Sequence, residues 1–74
     1  MKTNLKMFFN TSGEKPSVVI QRLRALGFNV SIGEFDLFYD WGKRVKEKDV
    51  LALGDKVTET LKESKVTFIM QTSE

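Results

Sequence analysis

Seventy-four residues with 12 basic and 10 acidic side chains give a net charge of +2, and the chain has neither Cys nor His. Those absences exclude a disulfide framework and a thiolate metal site, and they remove the commonest general base and the best thiol nucleophile. The charge is too mild to imply nucleic acid by itself, and no apolar run approaches the roughly 20 residues that span a bilayer.

The length is that of one small α/β domain over residues 1–74, which buries only about 60% of the surface of its unfolded chain, so close packing or self-association has to supply stability. The first residues, MKTNLKMFF, carry charge but no long apolar segment of the signal-peptide kind, and a cytoplasmic location is the default expectation.

In chain order, Leu5 to Asn10 is the first predicted strand, with Leu5, Met7 and Phe9 alternating with Lys6 and Phe8. Thr11-Ser12-Gly13-Glu14 is turn material. Pro16 suits the first turn of a helix, where its missing N–H has no intrahelical partner to lose. That helix runs to about Leu26 on an apolar stripe of Val19, Ile20, Leu23 and Leu26. Gly27 is its expected C′ residue, with Phe28 as the hydrophobic partner just beyond.

The stretch Phe28 to Gly42, FNVSIGEFDLFYDWG, sets the topology. Phe28, Val30 and Ile32 share one face of a strand at even positions, whereas Phe35, Leu37, Tyr39 and Trp41 share a face at odd positions. One uninterrupted strand cannot hold both sets on one side, because a shift of one residue swaps the faces. A two-residue turn at Gly33-Glu34 resolves the conflict, since Gly supplies the positive φ of a type II′ turn. The register then sets Ile32 opposite Phe35, Val30 opposite Leu37 and Phe28 opposite Tyr39. The alternative is one long strand with a bulge at Gly33.

Lys43, Arg44, Lys46 and Lys48 follow as a basic segment leading into a second helix, capped at Asp49 or begun two or three residues earlier. Val50, Leu53, Val57 and Leu61 form its stripe, and Gly54 on the same face predicts a close approach of helix to sheet. Val66 to Gln71 is the last predicted strand, with Thr72 to Glu74 frayed.

The element order is therefore β-α-β-β-α-β. It predicts a ferredoxin-like α+β sandwich: a four-stranded antiparallel sheet in the order 4-1-3-2 with both helices on one face. The bulge alternative gives a three-stranded βαβαβ arrangement. The helix side is expected to take Leu5, Met7, Phe9, Phe28, Val30, Ile32, Phe35, Leu37, Tyr39, Val66, Phe68 and Met70. The open face is left with Lys6, Phe8, Asn29, Ser31, Asp36, Phe38, Asp40, Thr67, Ile69 and Gln71.

Phe8, Phe38 and Ile69 on that polar face are the candidate contact residues, with Lys6, Asp36 and Asp40 around them. The leading expectation is a non-enzymatic interaction module that self-associates, or binds another protein, through this face. The alternative is single-stranded nucleic acid, with Phe8 and Phe38 stacking bases as the first and third strands of RNA-recognition modules do. Lys43, Arg44, Lys46 and Lys48 would be its anionic-ligand rim, whereas Asp36 and Asp40 on either side of Phe38 would repel phosphates. The bland readings are scattered surface aromatics and a solvated basic segment.

The stretch Lys15 to Val30, KPSVVIQRLRALGFNV, resembles the corresponding part of ACT-type regulatory domains in its helix-opening Pro and its Gly-aromatic-Asn-β-branched run. Ser17 stands where those domains have Gly. The resemblance implies a small-molecule regulatory role. No cofactor, metal site or membrane partner is expected. Catalysis has no constellation to rest on: Asp36 and Asp40 would lie about 13 Å apart along a strand, too far for a carboxylate dyad. The segment Thr11 to Lys15 lacks the spacing of a phosphate-binding loop.

Overall fold

The computed structural model describes all 74 residues. The elements are β1 (Lys2–Phe8), α1 (Pro16–Ala25), β2 (Asn29–Val30), β3 (Leu37–Asp40), α2 (Glu47–Leu61) and β4 (Thr67–Ser73). All strand pairs are antiparallel, in the order β2-β3-β1-β4, which is the expected 4-1-3-2 order read from the other edge. The three-stranded alternative with a bulge at Gly33 is overturned, because β2 and β3 are separate strands that pair with each other.

One core holds the layers together. Leu5, Met7 and Leu37 from the sheet meet Val19 and Leu23 of α1 and Leu53, Val57 and Leu61 of α2, with Phe28 beside them. Both helices therefore cover the same side of the sheet. The two helical stripes are the expected ones, with Ile20, Leu26 and Val50 partly buried at their margins. Gly54 permits the close approach expected of it, since a Cβ there would lie 3.3 Å from Met70 Cε.

α1 ends as its sequence dictates. Gly27 has φ +112°, Gly27 N–H donates to the Arg24 carbonyl and Phe28 N–H to the Leu23 carbonyl. That pair of bonds is a Schellman motif, with Phe28 packed in the core beside Leu23. α2 begins at Glu47, two residues before Asp49. Asp49 closes the end from inside the first turn, where its Oδ2 accepts the Lys46 N–H at 3.2 Å.

Strand ends differ from expectation. β1 starts at Lys2 and stops at Phe8, so Phe9 leaves the sheet and is exposed instead of packing under the helices. Asn10 explains the stop: its side chain accepts the Ser12 N–H at 2.9 Å and its carbonyl accepts the Gly13 N–H at 2.9 Å, which folds the chain away. At the other end Thr3 is fully buried on the core side, where its Oγ1 bonds Thr72 Oγ1 and accepts from Trp41 Nε1, both at 2.8 Å. That network carries β4 on to Ser73, so Thr72 and Ser73 are paired, not frayed.

The hairpin keeps the expected register, with Val30 opposite Leu37 and Asn29 opposite Phe38. Phe28 and Tyr39 meet edge to face at 5.5 Å, continuing it. The turn is longer than predicted. Ser31 N–H donates to the Asp36 carbonyl at 3.0 Å, so the connection is Ile32 to Phe35, with Gly33 at φ +121°. Val30 and Ile32 are 55% and 101% exposed rather than buried, because no helix reaches over this corner.

A polar junction closes the far side. Ser64 is fully buried after α2, where its hydroxyl accepts from Arg22 Nη1 at 3.1 Å and its carbonyl accepts the Glu14 N–H at 3.1 Å. Arg22 also pairs with Glu14 at 2.8 Å, tying the loop before α1 to the turn before β4.

Candidate functional site

The side of the sheet away from the helices is open, and its residues fall into rows set by the ladders. Lys2 lies between Asp40 and Ser73, Asn4 between Phe38 and Gln71, Lys6 beside Ile69, and Phe8 beside Thr67. Asn29 extends the Asn4 row on the far side of Phe38.

Phe8 is 48% exposed and Ile69 is 54% exposed. They are diagonal neighbours on adjacent strands, because Ile69 stands opposite Lys6. They form the apolar end of the face. Phe38 is half-buried and sits four residues away along β1, about 13 Å from Phe8 in that direction at the usual strand rise. The two rings are therefore not side by side, as two stacked neighbouring bases would require.

Each ring has a lysine over it. Lys6 Nζ is 5.9 Å from the Phe8 centroid, and Lys2 Nζ is 5.0 Å from the Phe38 centroid, both within the range of a cation–π contact. Lys2 lies outside the predicted strand, Leu5 to Asn10, and belongs to the face only because β1 begins at Lys2. Continuing the alternation of Lys6 and Phe8 back through Asn4 reaches it.

The two acids have structural duties. Asp36 links three strands: its N–H donates to the Leu5 carbonyl at 2.9 Å, its carbonyl takes the Ser31 N–H, and Oδ2 accepts the Met7 N–H at 2.7 Å. Its carboxylate stands where β3 would have supplied a carbonyl had the ladder continued, so it is turned to the β1 backbone and not held as a free charge beside Phe38. Asp40 Oδ1 accepts the Gly42 N–H at 2.9 Å, in the turn where Gly42 adopts φ +69°.

Lys43, Arg44, Lys46 and Lys48 are all exposed. The Trp41 N–H donates to the Met1 carbonyl, which places the connection they occupy at the Lys2 end of the sheet, near Phe38 and far from Phe8. Arg44 is partly engaged by Glu74 at 2.7 Å, a solvent-exposed pair of little energetic weight. The fold thus brings Lys6, Phe8 and Ile69 together, and separately gathers Lys2, Phe38, Asp40 and the basic segment.

No protein-family model, curated protein or solved structure matches this chain. No helix is long and apolar enough to cross a membrane.

On the helix side, a cleft of about 210 Å³ lies between α2 and the end of β3, lined by Tyr39, Trp41, Asp49, Ala52, Leu53 and Lys56. It is smaller than the ~300–1,000 Å³ typical of small-molecule sites. It also lies on the opposite side of the sheet from Phe8 and Phe38.

Proposed function

We propose that this chain is a non-enzymatic interaction module whose open sheet face binds a protein surface, either a second copy or another chain. The observation that supports this is the exposure of Phe8 and Ile69, 48% and 54%, side by side on a sheet face that no element of the chain covers. Large apolar side chains grouped on a polar face mark contact sites. Lys2 and Lys6 give that face donors for carboxylates on the partner, while Asp36 and Asp40 direct oxygens to backbone amides.

Sedimentation over a range of concentrations tests the self-associating form. The expected result is a concentration-dependent mass that drops by one association step in Phe8→Ser and Phe38→Ser. A mass and a thermal stability unchanged by either substitution would rule out self-association through this face.

A second reading is favoured by one observation, the lysine over each aromatic ring. A ring with an adjacent cation is the pairing that single-stranded nucleic acid uses, one for the base and the other for the phosphate. Anisotropy with short labelled oligonucleotides checks it. Binding should weaken steeply with salt and be lost in Phe8→Ala with Phe38→Ala. No binding at low salt would end that reading.

A further inference from the structure

We propose that the chain pairs with a second copy of itself along the free edge of β4, making one sheet continuous across both copies. The inference concerns the sheet edge and stands independently of the open face.

The direction of the β4 backbone groups follows from bonds on β1. The Leu5 carbonyl accepts from Asp36, the Met7 N–H donates to Asp36 Oδ2, and the Met1 carbonyl accepts from Trp41. Odd-numbered residues of β1 therefore turn their backbone groups toward β3, and Asn4 and Lys6 turn theirs toward β4. Their partners there are Gln71 and Ile69. Backbone groups alternate sides along a strand, so Phe68, Met70 and Thr72 point their N–H and C=O groups away from the sheet.

Nothing blunts that edge. β4 is last in the strand order, and its seven residues, TFIMQTS, contain no charge, no Pro and no break in register. Proteins usually protect an edge with one of these devices. Phe68, Met70 and Thr72 lie on the helix side yet stay only partly buried, whereas Leu5, Met7 and Leu37 on the same side of the inner strands are buried. The opposite edge, β2, is only two residues long.

The strand is self-complementary, which selects a second copy as the occupant. A two-fold axis at Ile69 makes an antiparallel pair in which Phe68 faces the partner's Met70, Ile69 faces the partner's Ile69, and Thr67 faces the partner's Gln71. The outward groups of Phe68 and Met70 then bond each other across the axis. From Thr67 to Gln71 each cross-strand pair matches apolar with apolar or polar with polar. An axis at Met70 would set Ile69 against Gln71 and Phe68 against Thr72. An isologous contact of this kind closes at two copies.

Amide hydrogen exchange of the wild-type chain, measured by NMR at several concentrations alongside sedimentation, tests this. The expected result is a dimer in which the Phe68 and Met70 amides become protected as concentration rises, while Ile69 and Gln71 are protected throughout. Met70→Pro, which removes an outward N–H and leaves the β1 ladder its bonds, should give a folded monomer. Phe8→Ser should remain dimeric. A monomer at several hundred micromolar would overturn the inference. So would a dimer whose Phe68 and Met70 amides exchange freely, and if Phe8→Ser also dissolved that dimer, the open face would be the contact instead.

Discussion

Two strand pairs in this sheet behave differently. β1 and β4 lie at opposite ends of the chain, yet they pair at seven consecutive positions. β2 and β3 are joined by a short connection, yet they pair at only two. Nearness in sequence lowers the entropy of bringing strands together, but it does not decide how far they stay paired. The β1–β4 ladder has Leu5 and Met7 buried beneath the helices and the Thr3–Trp41–Thr72 network at one end. The hairpin tip has neither, and Ile32 stands fully in solvent. Pairing extends as far as something packs over it, and stability should be concentrated on β1.

The largest expected effect breaks the β1 side. Leu5 is fully buried, on the strand that both β3 and β4 pair with. Leu5→Ala should cost about 2–5 kcal/mol, enough to lower the melting temperature by about 8 °C or more at ~4–8 °C per kcal/mol. A loss below about 1 kcal/mol in chemical denaturation would contradict a core centred on this strand.

Asp36→Ala probes the join between the two halves. It leaves the Met7 N–H without the acceptor now 2.7 Å away, and the expected cost is about 1–3 kcal/mol. Asp36→Asn keeps an acceptor oxygen and should recover part of it. Equal losses in both variants would mean that charge, not the bond to Met7, is what matters.

The smallest effect belongs to the hairpin tip. Ile32→Ser should change stability by no more than about 0.5 kcal/mol, since the side chain is already in solvent. Urea denaturation of Leu5→Ala and Ile32→Ser side by side would sharpen the contrast, and a costly Ile32→Ser would show that the tip is covered in solution.

Much of the fold was legible because its signals are local. The 3- and 4-residue spacings located both helical stripes, Gly27 located the end of α1, and the change of face around Gly33 gave four strands and the right register. The candidate site was legible only in part. Phe8, Phe38 and Ile69 are on the open face as expected, but Lys2 lies outside the predicted strand and Asp36 is bound to the β1 backbone instead of standing free beside Phe38. Neither Lys2 over Phe38 nor Asp36 on the Met7 amide can be found by counting along the chain, because each partner lies on a different strand.

The sequence by itself determined the element order, the buried faces of both helices and the strand that each β-segment prefers as neighbour. The elements and their buried faces follow from side-chain periodicity and turn chemistry, which involve residues a few positions apart, and the strand order follows from the element order and the handedness of its crossovers. Only the tertiary structure decided where each strand stops, which apolar residues the helices fail to cover, and that β4 stays paired with β1 as far as Ser73. Those outcomes depend on which surfaces meet once the layers are packed, and an alternation such as Val30 and Ile32 reads the same whether or not a helix arrives to bury it.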